Sequence, residues 1–277
     1  MKKATNETIK KVLMVPPKYF TVKYSINPWM KQNIKVDKQK AMEQWNVLKK
    51  SIEEEGIKVL TLNQIDGQPD MVFACNSGLV YGNKIFLSKY RYAERTGEQK
   101  YFATFYKQLG LQLFGEDYPE YFEGGGDAVF SEKNILWAGW GGPRTDKKAY
   151  DYIRLMGDFE IIFCELIDPR FYHLDTCFCP VGINSALWFP PAFSAETREK
   201  IQNRLPKAIA VSEKEALNFV CNAINVRKKV ISPSGVSKQT IEALNSLGYS
   251  LQEVEMNEFM KSGGACQCLL NLKQIIK

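Results

Sequence analysis

The chain has 277 residues, of which 45% are hydrophobic and 25% are charged, a composition typical of a folded globular protein and not of a disordered or fibrous one. The net charge is +6, but the basic residues are scattered among acidic ones, which argues against a nucleic-acid partner. No apolar run approaches the length of a membrane span and no secretion signal is recognisable, so we expect a cytoplasmic protein without a membrane partner.

Cysteine and histidine usage restricts the chemistry further. Seven cysteines, an odd number without a secretion signal, are typical of reduced cytoplasmic thiols. His173 is the single histidine, so a mechanism that needs an imidazole has one candidate. The Cys-x-Cys pairs at 177/179 and 266/268 are a weak signal for zinc, and we expect neither a metal nor another cofactor.

The first predicted elements are a helix over 38–55 and a strand over 57–62, separated by Gly56. The segment 76–88 then predicts a β-hairpin, because a Gly-Asn turn separates two apolar stretches. A second helix over 98–109 and a strand over 111–114 follow, again with a glycine between them. The order is therefore hairpin, helix, strand.

This order of elements returns along the chain. Further hairpins are predicted at 127–138, 175–189 and 222–232, so that the hairpins start roughly 50 residues apart. Two kinds of helix boundary are also predicted: left-handed glycines that end helices, at Gly56, Gly110, Gly157 and Gly248, and serine N-caps, at Ser194 and Ser237. About five units fill the chain.

A single unit cannot bury both faces of its sheet, and closing a ring is the best protection for edge strands. We therefore predict an α/β fold, a five-bladed α/β propeller, in one catalytic domain over 1–277 with a short basic N-terminal extension at 1–11. The alternative is a pair of unrelated α+β halves whose spacing coincides by chance.

Polar residues recur at the predicted unit starts. One period outward from the four hairpins lie Asn27 and Cys268, so the set is Asn27, Asn76, Asp127, Asp175, Asn222 and Cys268. In a ring these residues converge on the axis, where buried polar groups need a ligand or each other. The sequence thus predicts a carboxylate-rich central pocket with a thiol and, from His173, an imidazole. Such a pocket suits thiolate attack on a planar cation.

Each of these features also has a simpler interpretation. The segment 123–127 could be a flexible glycine turn, and His173 a hydrogen-bonded interior residue. Arg95 and Arg144 would by default be solvated surface charges. The remaining unpaired cysteines would be small buried hydrophobic residues, namely Cys75, Cys164 and Cys221.

Seven short segments together resemble the guanidino-group-modifying superfamily, which contains arginine deiminases, dimethylarginine dimethylaminohydrolases and amidinotransferases and has the five-bladed pentein fold. The His-x-Asp motif at 173–175 and the Gly-Gly-x-Cys-x-Cys motif at 263–268 are the most specific. Within the superfamily, the motifs are most similar to the arginine dihydrolase domain of cyanobacterial proteins. The segments are 14–17, 26–30, 69–80, 122–127, 171–180, 218–222 and 263–269.

At matching positions, the resemblance implies the catalytic roles. Cys268 would attack the guanidinium carbon, and His173 would act as general acid and base. Glu123 and Asp175 would hold the guanidinium nitrogens, and Asp127 lies close to Glu123 without a defined role. Cys268 fits the Cys-Leu pattern of the family better than Cys266 does.

The resemblance also implies how the rest of the substrate is held. Asp70 would take the α-ammonium group, and Arg95 and Arg144 would bind the α-carboxylate. Asn27 matches the dihydrolases. Cys75 stands where related enzymes have alanine, so the pocket wall is expected to differ there.

Asn76 is the informative departure from the deiminases, which have aspartate at this position. A carboxylate prefers the cationic guanidinium, whereas an amide both donates and accepts and tolerates a neutral ureido group. Citrulline could then stay bound for a second attack. We therefore predict an arginine dihydrolase that yields ornithine, carbon dioxide and ammonia.

The alternatives are an arginine deiminase, a dimethylarginine dimethylaminohydrolase, an amidinotransferase and, from another class, a non-catalytic arginine sensor. A sensor would need neither Cys268 nor His173, which argues against it. The expected partner is a small molecule, L-arginine or a close guanidino analogue, with homo-oligomerisation left open.

Overall fold

A computed structural model describes residues 10–31, 34–131 and 134–271, and its strands form five small sheets. Apart from Lys10 and Lys11, the basic N-terminal extension lies outside the described residues. Within the described ranges, no helix has the length and apolar character that a membrane crossing requires.

The elements follow one another in the predicted order. The first group is β1 (Lys11–Met14), α1 (Lys38–Glu54) and β2 (Lys58–Thr61). The second is β3 (Gly78–Tyr81), β4 (Lys84–Leu87), α2 (Ala93–Thr96), α3 (Gln99–Gln108) and β5 (Gln112–Phe114). The third is β6 (Ala128–Ser131), β7 (Ile135–Trp140), α4 (Ala149–Ile153) and β8 (Glu160–Glu165).

The last two groups repeat the pattern with one added helix each. The fourth is β9 (Phe178–Val181), β10 (Ser185–Trp188), α5 (Ala195–Arg204), β11 (Ile209–Ala210) and α6 (Glu213–Leu217). The fifth is β12 (Ile224–Val226), β13 (Lys229–Pro233), α7 (Lys238–Ser246), β14 (Ser250–Val254) and α8 (Asn257–Met260).

All four predicted hairpins are confirmed. In each, two antiparallel strands are joined by a tight turn, and a later strand adds parallel to the second strand: β5 to β4, β8 to β7, β11 to β10 and β14 to β13. The helix between them supplies the crossover that a parallel pair needs. Each sheet therefore has its hairpin on one side and its crossover strand on the other.

The remaining sheet is assembled from both ends of the described chain. β1 pairs in parallel with β2, and Asn271 pairs antiparallel with Leu13 on the other side of β1. The Leu13 N–H donates to the Asn271 carbonyl at 2.7 Å, and the Asn271 N–H returns a bond of 3.0 Å. The segment after Cys268 thus takes the place of the first hairpin strand.

The predicted helix boundaries are confirmed with one exception. Ser194 and Ser237 accept N-cap hydrogen bonds from the N–H groups three residues on, and Gly56, Gly110 and Gly248 have φ of 73°, 77° and 79°.

The prediction of a left-handed Gly157 is wrong, because its φ is 172°, an extended value. Helix α4 ends in a 3₁₀ turn (Arg154–Met156) instead. A Cβ on Gly157 would overlap Tyr81 Cε1, so close packing requires the glycine.

Helix α1 shows how the sequence packs a helix onto its sheet. Asp37 caps its first turn, and Ala41, Trp45, Leu48 and Ile52 recur at helical spacing and are buried. They pack in one hydrophobic cluster with side chains of β1.

Short 3₁₀ turns precede β3, β6, β9 and the bridge residue Asn271, and they meet one another. They are Ala74–Ser77, Gly124–Gly126, Leu174–Thr176 and Gln267–Leu269. Asn76 Nδ2 donates to the Glu123 carbonyl at 3.2 Å, the Leu174 N–H donates to Asp127 Oδ1 at 3.0 Å, and Asn222 Nδ2 donates to the Asp175 carbonyl at 3.0 Å. The unit starts therefore converge, as predicted.

Asn27 does not belong to this set. It lies in the loop between β1 and α1, so the prediction that it starts a repeat is wrong. The unit that contains β1, α1 and β2 begins at Cys268 and continues at the N-terminal strand, which a linear count of periods along the sequence does not show.

Candidate active site

Cys268 lies in the 3₁₀ turn Gln267–Leu269 and is 2% exposed. Its Sγ lies 3.2 Å from Asp175 Oδ2 and accepts a hydrogen bond of 3.1 Å from Asn222 Nδ2. A Cβ on Gly264 would lie 3.0 Å from Cys268 Cβ and 2.5 Å from Phe73 Cε1. The Gly-Gly pair of the motif therefore lets the turn that carries the thiol pack closely.

The environment of Cys268 favours its thiolate. Burial opposes ionisation, but hydrogen bonds with Cys75, Asp175, the Ala265 backbone and Asn222 lower its pKa from 9.0 to about 7. By contrast, burial and the charge of Cys268 raise the pKa of Cys266 well above 9.0. Because the thiolate is the nucleophilic form, this contrast supports Cys268 over Cys266.

His173, Glu123 and Arg144 form a fully buried ionic group. Glu123 Oε2 accepts from Arg144 Nη1 at 2.6 Å and lies 3.1 Å from His173 Nε2. Burial opposes the charge of Glu123, but the Arg144 charge and the hydrogen bond with His173 outweigh it and hold the pKa of this carboxyl well below its usual range. Glu123 is therefore a carboxylate at neutral pH.

Asp127 is a second buried carboxyl group close to the His173 imidazole. Its Oδ1 accepts from the Leu174 N–H at 3.0 Å, its Oδ2 accepts from Thr145 Oγ1 at 2.7 Å, and Oδ2 is 3.8 Å from His173 Nε2. Burial raises the pKa of Asp127. These contacts give Asp127, which had no defined role, a place in orienting the turn that follows His173.

Asp175 is also fully buried, but it has no cationic partner within hydrogen-bond distance among the described residues. Its Oδ2 faces the thiols of Cys268, at 3.2 Å, and Cys75, at 3.6 Å. Burial and the nearby Cys268 raise the pKa of Asp175 well above its ordinary value. The carboxyl of Asp175 and the thiol of Cys268 therefore compete for one proton.

Arg95 contacts the oxygen of the Asn76 amide, whereas the nitrogen of that amide contacts the Glu123 carbonyl. It is 3% exposed, donates from Nη1 to Asn76 Oδ1 at 2.9 Å and from Nη2 to the Asp70 carbonyl at 3.1 Å, and makes two bonds of 2.9 Å to Glu98. The sequence reasoning missed Glu98, although the spacing of three residues within the helical region was available as a signal. Arg95 thus fixes which side of the Asn76 amide accepts.

Asp70 and Asn27 meet at Ser262. Asp70 accepts from Tyr24 Oη at 2.9 Å and from Ser262 Oγ at 3.1 Å, and burial raises its pKa. Asn27 Nδ2 donates to the Ser262 carbonyl at 3.0 Å, while Asn27 Oδ1 accepts from the Trp29 N–H at 2.9 Å. The structure therefore uses Asn27 to join its loop to the segment that leads to Cys268.

Several polar atoms in this region are buried without a hydrogen-bond partner among the described residues. They are Arg144 Nε, His173 Nδ1 and Asp175 Oδ1. The Arg144 guanidinium also stacks between the rings of Tyr92 and Tyr172, at 4.7 and 4.9 Å from their centroids. Buried donors and acceptors of this kind are costly unless a partner satisfies them, so these atoms support this region as the candidate binding site.

Three ligand-type atoms lie within 4.8 Å of one another in the described part of the chain, on Cys75, Asp175 and Cys268. Two thiols and a carboxylate are a donor set that a soft metal ion accepts. Because the same atoms are hydrogen-bonded to one another and include the candidate nucleophile, the group is explained without an ion. The prediction that no metal is needed stays a prediction.

Comparison with known proteins decides the family. The family described as N,N dimethylarginine dimethylhydrolase, eukaryotic, matches residues 16–273. The chain belongs to this family. The resemblance to guanidino-modifying enzymes is thereby confirmed, as is the prediction of a hydrolase type that acts on the carbon–nitrogen bonds of amidines.

Similar proteins match nearly all of the chain. The Caenorhabditis elegans protein ZK1307.1 is 55% identical over 268 residues, which are 97% of this chain and 95% of that protein. ArgZ of Synechocystis, a bifunctional arginine dihydrolase/ornithine cyclodeaminase, is 43% identical over 94% of this chain, but the match spans only 37% of ArgZ.

A solved structure shows the same fold. The N-terminal domain of ArgZ, an arginine dihydrolase from the ornithine-ammonia cycle in cyanobacteria, was determined bound to its product. It superposes with a TM-score of 0.90 at 41% identity, covering 94% of this chain and 96% of that one. The α/β fold predicted from the sequence is confirmed at this level.

Proposed function

We propose that the chain is an arginine dihydrolase, a cofactor-independent enzyme that converts free L-arginine into ornithine, carbon dioxide and two molecules of ammonia. The observation that carries this proposal is the amide at position 76. Asn76 Oδ1 accepts from Arg95, and Asn76 Nδ2 donates to the Glu123 carbonyl, next to the ionic group of Glu123. An amide held in this way offers no negative charge that would favour a guanidinium over a neutral ureido group.

The first half of the reaction begins at Cys268. Its thiolate attacks the guanidinium carbon, His173 protonates a departing nitrogen, and ammonia leaves a covalent alkylthiouronium on the sulfur. Water then adds to this carbon, and the thiolate is released with citrulline. Glu123, held as a carboxylate by Arg144, balances the positive charge during these steps.

The second half repeats the attack on the ureido carbon of citrulline. A second ammonia departs, the thiocarbamate on Cys268 is hydrolysed, and the resulting carbamate decomposes to ornithine and carbon dioxide. Asp175 is the group beside the sulfur, so it is suited to bind a substrate nitrogen or take up a proton as the thiol ionises.

The distal end of the substrate would be held by the remaining predicted groups. Asp70 is proposed to take the α-ammonium group, and Arg144, whose Nε has no partner among the described residues, the α-carboxylate. Arg95 is already bonded to Glu98, Asn76 and Asp70, so we propose that it orients Asn76 as well as attracting the carboxylate.

We also propose that the five sheets close into the five-bladed pentein ring within a single catalytic domain. The convergence of the 3₁₀ turns and the pairing of Leu13 with Asn271 support a closed arrangement.

A second candidate is hydrolysis of dimethylarginine, which the description of the matching family favours. Such an enzyme would release dimethylamine and citrulline. The buried ionic group of Glu123, Arg144 and His173 serves either substrate, so the products decide between the two.

The test is a time course in which purified protein is incubated with L-arginine, with citrulline and with dimethylarginine, while ornithine, citrulline, ammonia and dimethylamine are quantified together. We expect two ammonia per ornithine from arginine, with ornithine also formed from citrulline. The variant Asn76→Asp is expected to stop at citrulline, and Cys268→Ser to form no product. Citrulline with one ammonia from the unmodified protein would sink the dihydrolase proposal, and consumption of dimethylarginine alone would favour the second candidate.

A further inference from the structure

Asn222, one of the polar residues at the predicted unit starts, is a fully buried amide beside the candidate nucleophile and has no individual role in the mechanism proposed above. It lies two residues before β12, and all four hydrogen-bonding positions of its side chain are used. Nδ2 donates to Cys268 Sγ at 3.1 Å and to the Asp175 carbonyl at 3.0 Å. Oδ1 accepts from the Ala265 N–H at 3.1 Å and the Cys268 N–H at 3.2 Å.

The orientation of this amide is fixed by its surroundings. The Ala265 and Cys268 N–H groups can only donate, so they require the oxygen of the side chain to face them. The NH₂ group must then face Cys268 Sγ and the Asp175 carbonyl. A flipped amide would place two donors against two donors, which buried groups do not tolerate.

One side chain therefore links the two halves of the reactive centre. The Oδ1 bonds hold the segment 265–268, which carries the sulfur, and one Nδ2 bond holds the backbone of Asp175, whose carboxyl also faces that sulfur. The remaining Nδ2 bond ends on the sulfur itself. A residue that only held the backbone would have no need to direct a donor at a thiol.

We propose that Asn222 is the positioning residue for Cys268, which holds its sulfur against Asp175 and stabilises the thiolate by donating a hydrogen bond to it. The inference rests on the proposed function only in taking Cys268 as the nucleophile. It does not depend on which guanidino substrate is hydrolysed. An N–H donor favours the charged form of the sulfur both before attack and when the sulfur departs from the intermediate.

The test compares Asn222→Asp and Asn222→Ala with the unmodified protein and with Asn245→Asp. Asn245 is exposed on α7, so the same substitution there controls for the added charge. The rate at which iodoacetamide alkylates Cys268 is followed by peptide mass spectrometry from pH 5 to pH 10. This readout needs no substrate, so it remains informative even if the proposed function fails.

Asn222→Asp keeps the shape of the side chain and its acceptor oxygen but places a carboxylate oxygen against the sulfur. The like charge is expected to move the midpoint of the alkylation profile upward by about one to two pH units, which lowers the rate at pH 7 by about 5-fold to 50-fold. Asn245→Asp is expected to leave the profile unchanged. An unchanged profile in Asn222→Asp would overturn the proposal.

Asn222→Ala removes the donor and the anchor of the 265–268 segment together. We expect the midpoint to rise and, with whichever substrate is turned over, kcat to fall by about tenfold or more while KM changes little, because Asn222 contacts the Cys268 segment and the backbone carbonyl of Asp175 but none of the side-chain groups proposed to bind substrate. Thermal unfolding identifies a variant that fails to fold, in which case Asn222→Asp decides. A folded Asn222→Ala with unaltered alkylation and kcat would show a structural role only and contradict the proposal.

Discussion

Glu123 and Asp175 are two fully buried carboxyl groups in the same site, and their environments drive them in opposite directions. Glu123 lies 2.6 Å from the Arg144 guanidinium and 3.1 Å from His173, and its pKa falls well below the usual range despite its burial. Asp175 faces two thiols, and its pKa is raised. Burial alone therefore does not determine ionisation; the partner within hydrogen-bond distance does.

The difference assigns the two carboxyls separate tasks. Glu123 is a permanent negative charge that holds the imidazole and can balance a bound cation. The raised pKa of Asp175 and its distance of 3.2 Å from the Cys268 sulfur suit it to exchange a proton with that thiol. Two groups of one type with divergent pKa values are what acid–base chemistry at neutral pH requires.

The largest expected effect comes from removing Arg144, the cation that pairs with Glu123. Arg144→Met leaves Glu123 as a buried carboxylate without its ion-pair partner at 2.6 Å, so we expect a loss of about 3–5 kcal/mol in the free energy of unfolding. Urea denaturation measures it. Arg154→Met, which removes the exposed partner of Asp151 at 3.9 Å, is the control and is expected to cost about 0–1 kcal/mol. Equal losses of unfolding free energy in Arg144→Met and Arg154→Met would mean that Glu123 depends on Arg144 no more than an exposed ion pair depends on its partner. That result would contradict the environment assigned to Glu123 in the comparison with Asp175.

Asp175→Asn tests the other carboxyl group of the comparison, the one that faces the two thiols. The amide still offers a donor to the sulfur but has no negative charge for a guanidinium, so turnover is expected to fall by about 10²-fold or more. Alkylation of Cys268 at pH 7 is expected to persist. This outcome is the reverse of that for Asn222→Asp, which impairs alkylation itself. Loss of alkylation in Asp175→Asn would mean that its carboxyl group is needed to form the thiolate.

Cys75→Ala removes one of the two thiols that face Asp175. In the unmodified protein, alkylation of Cys268 is expected to rise through pH about 7, the value to which its pKa is lowered, because only the thiolate reacts. Loss of a neutral donor worth about 0.5–1 kcal/mol should move this midpoint up by about half a unit. Cys266 is expected to stay unlabelled over the same range, since its pKa is raised. Faster labelling of Cys266 than of Cys268 would contradict the choice of nucleophile.

Glu215 sharpens the comparison, because it is a buried carboxylate that hydrogen bonds stabilise without a cation. It accepts from the Ser237 N–H, at 2.8 Å, and from the N–H and hydroxyl of Ser212 in a capping box on α6. Burial opposes ionisation, but these donors lower its pKa from 4.5 to about 2.

We expect Glu215→Ala to cost about 1 kcal/mol at pH 6. Since the pKa is lowered in the folded state, this stability is present above pH 4.5 and is lost as the pH falls toward 2. Urea denaturation of both proteins at pH 6 and pH 2.5 measures the difference. A difference that grows on acidification would contradict the assignment.

The hairpins, helices and most caps could be predicted because their signals are local: turn residues, apolar alternation and a serine or glycine at each boundary. The prediction for Asn27 was wrong because the unit of β1, α1 and β2 joins the two ends of the described chain, and Leu13 and Asn271 are remote in sequence. The prediction of a left-handed Gly157 was wrong because this glycine is required for packing against Tyr81, a contact without a sequence signal.

The site residues came from the resemblance and from the repeated polar positions, whereas their pairings could not be predicted. Nothing local indicates that Arg144 rather than a substrate lies against Glu123, or that Asn222 lies against Cys268, from which 46 residues separate it. These pairings follow from the approach of separate units. Glu98 is the one missed partner that a local spacing could have revealed.

The most direct test of covalent chemistry at Cys268 is acid quenching of the enzyme during turnover of L-arginine labelled with ¹³C in the guanidino carbon, followed by mass spectrometry of the cysteine peptides. The account predicts labelled carbon on the Cys268 thiol in the unmodified protein and none in Cys268→Ser. Turnover without any labelled cysteine, or label on Cys266 alone, would contradict it.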